Sequence, residues 1–266
     1  MIKLIATDLD GTLLNSKSQL SQKTIDVLKK AKEQGIYVVP CTGRPLASIQ
    51  GYLKELGLYD DNDYSITFNG GLVQHNQSGE VIYSAQITKE ESQKIVDFLN
   101  NKKMSYDLLC HDYLLAPAGQ EESFYERLNH QLPVKHFEQF TALECNKIVV
   151  NGSEAEVSSW LDDVFKAFGD DFYVVRTMPE LLEIASKKVG KEKGIAQLCQ
   201  FLNLSMDQVI SFGDEANDIE MLEQTGMGIA MENASEVVKQ AANFVTKTND
   251  ENGVAIAIEA LLEGSE

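Results

Sequence analysis

The chain begins Met1-Ile2-Lys3-Leu4-Ile5-Ala6-Thr7 and then meets two acids one residue apart, Asp8 and Asp10, followed at once by Gly11 and Thr12. An apolar run this short, bounded by acids and a glycine, reads as a buried β-strand ending in a tight turn. In open parallel α/β sheets, ligands bind beyond the carboxyl ends of the strands. Asp8 and Asp10 would stand at such an end. Two crowded carboxylates cannot both ionise cheaply without a counter-charge. A divalent cation is the natural one, and Mg²⁺ suits an all-oxygen site with one or two carboxylates. The alternative is a glycine turn carrying two solvated acids.

The pattern that follows is β-α-β-α-β. Residues 2–7 are strand, 21–34 helix with Ser21 as cap and Gly35 as stop, and 36–41 strand. Pro45 can occupy the first position of a helix that runs to Leu56. Residues 64–68 then form a third strand. This alternation predicts a doubly wound parallel sheet. The order breaks at a hairpin, 72–75 and 81–83. Helices at 89–101, 121–130 and 154–168 and short strands at 106–109, 113–116, 145–150 and 172–176 follow without strict alternation. Alternation resumes with helices at 191–202, 215–223, 234–241 and 254–262 and strands at 208–212, 227–230 and 244–245. The expected architecture is an α/β core, discontinuous over 1–82 and 187–266, with an inserted α+β module over 83–186.

Two further segments fall at strand ends. Thr42-Gly43-Arg44 opens a helix, where backbone N–H groups favour anions and a guanidinium adds a charged fork. It could equally be a helix cap with a surface arginine. Gly213-Asp214-Glu215-Ala216-Asn217-Asp218 follows a strand. Asp214 could complete a cation site, with Asn217 and Asp218 orienting it or its waters, or the acids could simply cap a helix. A shared site explains why all three segments sit at strand ends. Lys191 opens the helix after the insert and could stabilise transferred charge. It lies in the lysine-rich run Lys187-Lys188-Val189-Gly190-Lys191-Glu192-Lys193, and composition does not choose among these lysines.

Composition narrows the partners. The net charge is −18, which argues against nucleic acid or anionic membranes and means a phosphate site must be built locally. Apolar residues make up 43 % and no apolar run approaches the length of a membrane span. With no signal peptide, the cytoplasm is the expected location. The cysteines, Cys41, Cys110, Cys145 and Cys199, lack a CxxC spacing and are expected to be buried thiols. The histidines have no ligand spacing.

Taken together, DLDGTLL at residue 8, TGRP at 42, ITFNGG at 66, LLEIASKKVGKEKG at 181 and GDEANDI at 213 resemble the haloacid dehalogenase superfamily of phosphatases. The order is similar to its Cof-type (YidA-like) branch, which carries a C2-type α+β cap. The resemblance implies a Mg²⁺-dependent hydrolase of small phosphorylated metabolites, most naturally sugar phosphates, acting through an aspartyl-phosphate. It implies Asp8 as nucleophile and metal ligand, and Asp10 as general acid/base giving the metal its backbone carbonyl. Thr42, Gly43 and Arg44 would bind the phosphoryl group, and Lys191 would neutralise it. Asp214 would be the third metal-binding residue, Asn217 a substrate contact and Asp218 an outer support. The branch has Lys-Gly where this chain has Lys191-Glu192, which leaves Lys193 as a rival. Alternatives are a phosphomutase or phosphotransferase on sugar phosphates, or a non-catalytic phosphate sensor. A monomer or homodimer is expected.

Overall fold

The structure is a computed structural model that describes residues 1–119, 127 and 132–263. The helix expected at 121–130 lies outside the described residues, apart from Arg127. Two compact units emerge, one of residues 1–84 and 190–266, the other of residues 85–189. The divisions fall two and three residues beyond those expected.

In the first unit five parallel strands form one sheet: β1 (Leu4–Thr7), β2 (Tyr37–Pro40), β12 (Val209–Gly213), β13 (Met227–Ala230) and β14 (Phe244–Val245), in the order β14-β13-β12-β1-β2. Alternation along the strands divides two cores. Ile5, Val38, Ile210 and Phe212 pack with helices α1 (Gln22–Glu33), α2 (Leu46–Leu56) and the closing helix Gly253–Glu263. Leu4, Ala6, Val39 and Cys41 pack with α5 (Lys191–Leu202). Burial on both faces is what a parallel sheet requires. The start of α1 and the end of α2 follow local chemistry: the Ser21 hydroxyl accepts from Thr24 N, and Gly57 closes α2 at φ 71°. Pro45 is the cap of α2, one residue before its expected place inside the helix.

The third strand departs from the expected parallel order. β3 (Tyr64–Thr67) pairs antiparallel with β4 (Leu72–His75), which pairs with β5 (Val81–Ser84) in a separate three-stranded sheet. One parallel bridge, Cys41 to Ile66, ties it to the end of β2. The short turn after Phe68 makes antiparallel closure the less costly pairing.

The second unit is a six-stranded sheet in the order β10-β11-β9-β6-β7-β8. Its strands are β6 (Tyr106–Leu109), β7 (Leu114–Pro117), β8 (Val134–Phe137), β9 (Lys147–Asn151), β10 (Phe172–Met178) and β11 (Leu181–Ser186). Helices α3 (Lys89–Asn101) and α4 (Glu154–Phe168) cover one face through Ile95, Leu99, Val157 and Val164. Both helices begin with capping boxes, at Thr88 and Ser153. β8 and β11 are absent from the sequence reading. β11 lies between β9 and β10 and pairs with both.

All four cysteines are free and buried. No helix among the described residues is long and apolar enough to cross a membrane.

Candidate active site

Asp8 directly follows β1, and its backbone N–H donates to the carbonyl of Phe212 on β12 at 3.0 Å. The chain then turns sharply. Asp10 (φ −77°, ψ 123°) and Gly11 (φ 74°, ψ −6°) have the central angles of a type II turn, whose second position needs glycine. Gly11 is required a second time: a Cβ there would lie 2.2 Å from Asp214 Oδ2. The turn therefore lets the end of β12 approach the end of β1.

Asp214 leaves β12 half-buried beside that turn. Its Oδ1 accepts from the Thr12 hydroxyl at 2.6 Å and its Oδ2 from Asn233 Nδ2 at 3.4 Å. Asn233 also donates to the Gly11 carbonyl at 2.8 Å. The expected helix over 215–223 starts late. Residues 216–218 form a tight turn and α6 spans Ile219–Gln224. The cause is Asp218, whose Oδ2 accepts from the backbone N–H groups of Asp214 and Glu215 at 3.0 and 3.1 Å. Its Oδ1 accepts from Lys191 Nζ at 2.6 Å. Both oxygens are committed to the protein.

Lys191 stands at the first position of α5, where a cation opposes the helix dipole. It is nonetheless 1 % exposed, with Nζ 2.6 Å from Asp218 and 2.7 Å from Asp8 Oδ1. Lys193 is 46 % exposed, with Nζ 3.9 Å from a Glu192 carboxylate oxygen. Lys191 is thus the lysine of the run whose ammonium meets the Asp8 carboxylate.

Asp10 lives in another environment. Its side chain is 53 % exposed and pairs with the Arg44 guanidinium through both oxygens, Nε to Oδ2 at 2.8 Å. Arg44 therefore engages the second acid as well as flanking the proposed anion loop. Thr42 is buried, and its hydroxyl accepts from Arg44 N at 3.1 Å, leaving its own proton to donate. Asn217 is exposed, with Nδ2 donating to Asn69 Oδ1 at 3.1 Å. Thr12, Asn69 and Asn233 are contacts that reading the sequence did not assign. The position of Asn233 shortly after β13, at the same sheet end as Asp8 and Asp214, is the signal that could have found it.

Three carboxylates, from Asp8, Asp214 and Asp218, bring oxygens within 4.8 Å of one another. With Lys191 the ionised set keeps a surplus of about two negative charges in a site of low dielectric. Burial pushes the Asp8 carboxyl up, the ammonium of Lys191 opposes this, and Asp218 adds to it. Burial pushes Asp214 up to about 6 against the Thr12 hydroxyl. Burial would lower Lys191, but Asp8 and Asp218 hold its pKa raised. The donor set and its surplus charge fit a divalent cation, with Asp8 and Asp214 as side-chain ligands and Asp218 as their support.

A pH signature follows. A carboxyl raised in the fold binds protons there that the unfolded chain has released. For Asp214 that window runs from the ordinary 3.8 to about 6. Asp8 shifts in the same direction. Stability of the metal-free protein therefore falls as pH rises through this window. A divalent cation at about a hundred times its Kd adds about 2.7 kcal/mol. That is roughly 5–10 °C in Tm for a unit of this size. Melting curves with Mg²⁺ and with EDTA should show this gain at pH 7.5 and a smaller one at pH 5, where protons compete for the ligands. Equal gains at both pH values would count against the assignment.

Comparison with known proteins gives the same neighbourhood. The sequence profile of the haloacid dehalogenase-like hydrolases matches residues 5–258. YxeH of Bacillus subtilis (strain 168), provisionally named as a phosphatase, is 34 % identical, with 98 % of this chain and 99 % of that protein aligned. The 5-amino-6-(5-phospho-D-ribitylamino)uracil phosphatase YwtE of the same organism is 30 % identical over 99 % of both chains. Among solved structures, the subclass IIB sugar phosphatase BT4131 superposes with a TM-score of 0.78 at 27 % identity, covering 97 % of this chain and 98 % of its own.

Proposed function

The chain belongs to the haloacid dehalogenase-like hydrolases, and from that premise we propose a Mg²⁺-dependent phosphatase that cleaves small phosphate monoesters through an aspartyl-phosphate on Asp8. The observation that carries this reading is the contrast between two neighbouring carboxylates. Asp8 is buried against an ammonium, and Asp10 is half-exposed against a guanidinium. The ammonium favours the charged, attacking form of Asp8, and the exposure of Asp10 lets it exchange protons with water and a leaving group.

Lys191 holds Asp8 Oδ1 at 2.7 Å. A carboxylate oxygen of Asp8 attacks phosphorus, and the bond from phosphorus to the ester oxygen breaks. Protonated Asp10 gives its proton to the departing alkoxide. The resulting Asp10 carboxylate takes a proton from water, whose oxygen attacks phosphorus and releases inorganic phosphate and the Asp8 carboxylate. Thr42 and the Gly43 N–H hold phosphoryl oxygens, and Lys191 neutralises charge throughout. A divalent cation, held by Asp8, Asp214 and the Asp10 carbonyl, would supply charge neutralisation and polarise a phosphoryl oxygen.

The substrate class we favour is a phosphorylated sugar or sugar alcohol. BT4131 is named for sugar phosphates and YwtE for a phosphorylated ribityl chain, so a polyhydroxylated carbon chain bearing a phosphate is common to both. We assign substrate selection to the unit of residues 85–189. A panel of pentose, hexose and ribityl phosphates with Mg²⁺ tests the reading. Release of inorganic phosphate is expected. Isomerised sugar phosphate without phosphate release would favour a mutase, and binding without turnover a sensor.

A further inference from the structure

Three consecutive residues between β3 and β4 adopt positive φ: Phe68 at 51°, Asn69 at 55° and Gly70 at 91°. Glycine and asparagine tolerate this region, but a bulky side chain enters it only when its surroundings compel it. The compelling contacts lie on several sides. Asn69 N donates to the Thr42 carbonyl at 2.9 Å. Gly70 approaches Gly190 so closely that a Cβ would stand 1.9 Å from the Gly190 carbonyl oxygen and 3.0 Å from Lys191 N. Asn217 Nδ2 donates to Asn69 Oδ1 at 3.1 Å. A Cβ on Gly43 would stand 3.1 Å from that oxygen and 3.2 Å from Asn69 Nδ2, so the carboxamide lies against the glycine of the anion loop.

One turn thus touches the segments that carry Thr42, Lys191 and Asn217. We propose that Asn69 is a positioning residue: its carboxamide, seated on Gly43, fixes the Asn217 side chain relative to the phosphoryl-binding loop. It acts through Asn217 and needs no contact with substrate. The left-handed backbone is what turns the Asn69 side chain back toward both partners, and the glycine at 43 lets the carboxamide lie close against it. The proposal rests on the phosphatase reading for its kinetic form, but not for its binding form.

The test is a double-mutant cycle of Asn69→Gly and Asn217→Ala, read by kcat, KM and the calorimetric affinity for inorganic phosphate with Mg²⁺ present. Glycine keeps the left-handed backbone and removes only the carboxamide. Each single variant is expected to raise KM and weaken phosphate binding about tenfold, the scale of one hydrogen bond to an anion-binding group, with kcat changed much less. Because Asn69 works through Asn217, the double variant should be no weaker than either single one. A purely structural role would instead lower Tm and leave KM and phosphate affinity at wild-type values. That result, or multiplied losses of about a hundredfold in the double variant, would overturn the proposal. Should Asn69→Gly lose its fold, Asn69→Ser takes its place in the cycle. A wild type that hydrolyses no phosphate ester would defeat the phosphatase reading alone, and the phosphate affinities would still decide the role of Asn69.

Discussion

Asp8→Asn is expected to lower kcat by about 10⁴-fold or more while leaving the protein as stable as before, or more so. The magnitude is that of losing a covalent nucleophile, whose removal collapses a mechanism that works as a unit. The stability half is the more particular. An amide has nearly the shape of the carboxylate and can still accept from Lys191 at the 2.7 Å contact. Burial penalises the Asp8 charge more than the ammonium favours it, so replacing the carboxylate relieves a desolvated charge. Activity and Tm should therefore move in opposite directions, the trade-off expected where a site is strained for function. Steady-state assays beside melting curves in EDTA check this. A variant that loses activity together with its fold would make Asp8 a structural acid.

The second large effect is on Lys191. Lys191→Ala leaves Asp8 and Asp218 buried and facing each other without an ammonium. Removing one partner of a buried ion pair typically costs about 3–5 kcal/mol. For a unit of this size that is a fall of roughly 10 °C in Tm. Turnover should drop on the order of 10²–10³-fold, as when a preorganised charge-stabilising donor is lost. Saturating Mg²⁺ should recover part of the Tm, since it cancels the same surplus charge, but little of the turnover. Lys193→Ala supplies the contrast. At 46 % exposure, its loss should stay within about 0.5 kcal/mol. Equal effects of the two substitutions would contradict the geometry described for Lys191.

Much of this centre could be read from strand ends. Asp8, Thr42 and Asp214 each follow an apolar run of β-type, and parallel sheets place such positions on one edge. That rule needs no knowledge of loops, which is why these residues could be grouped across some 200 positions of sequence. What escaped depends on distances that no local pattern encodes. Asn233 reaches the Gly11 carbonyl across 222 residues, from a loop with no motif of its own. Asn69 lay within a recognisable stretch, yet its role needs the angle of a turn and the position of Asn217. β3 showed the same limit. An apolar run announces a strand but not its neighbour, and the adjacent hairpin captured it. β11, Leu181-Leu182-Glu183-Ile184-Ala185-Ser186, has a plain β pattern bounded by Pro179 and Lys187, and was legible in principle.

The Asp10–Arg44 pair changes the reading of the anion loop. Arg44 was expected beside the phosphoryl group, and in the structure its guanidinium grips the acid that is to carry the proton. The arginine can therefore orient Asp10 between turnovers and still lie next to Thr42.

The central claim is a covalent phosphoryl group on Asp8. Asp10→Asn slows the second half-reaction by about 10²–10⁴-fold, because no carboxylate remains to activate water. Rapid quenching of this variant with a phosphate ester and Mg²⁺, then reduction with tritiated borohydride and peptide mapping, reads the acyl phosphate directly. The account predicts one labelled site and conversion of residue 8 to homoserine. Phosphate release with no label on the protein, or with label at any residue other than Asp8, would contradict it.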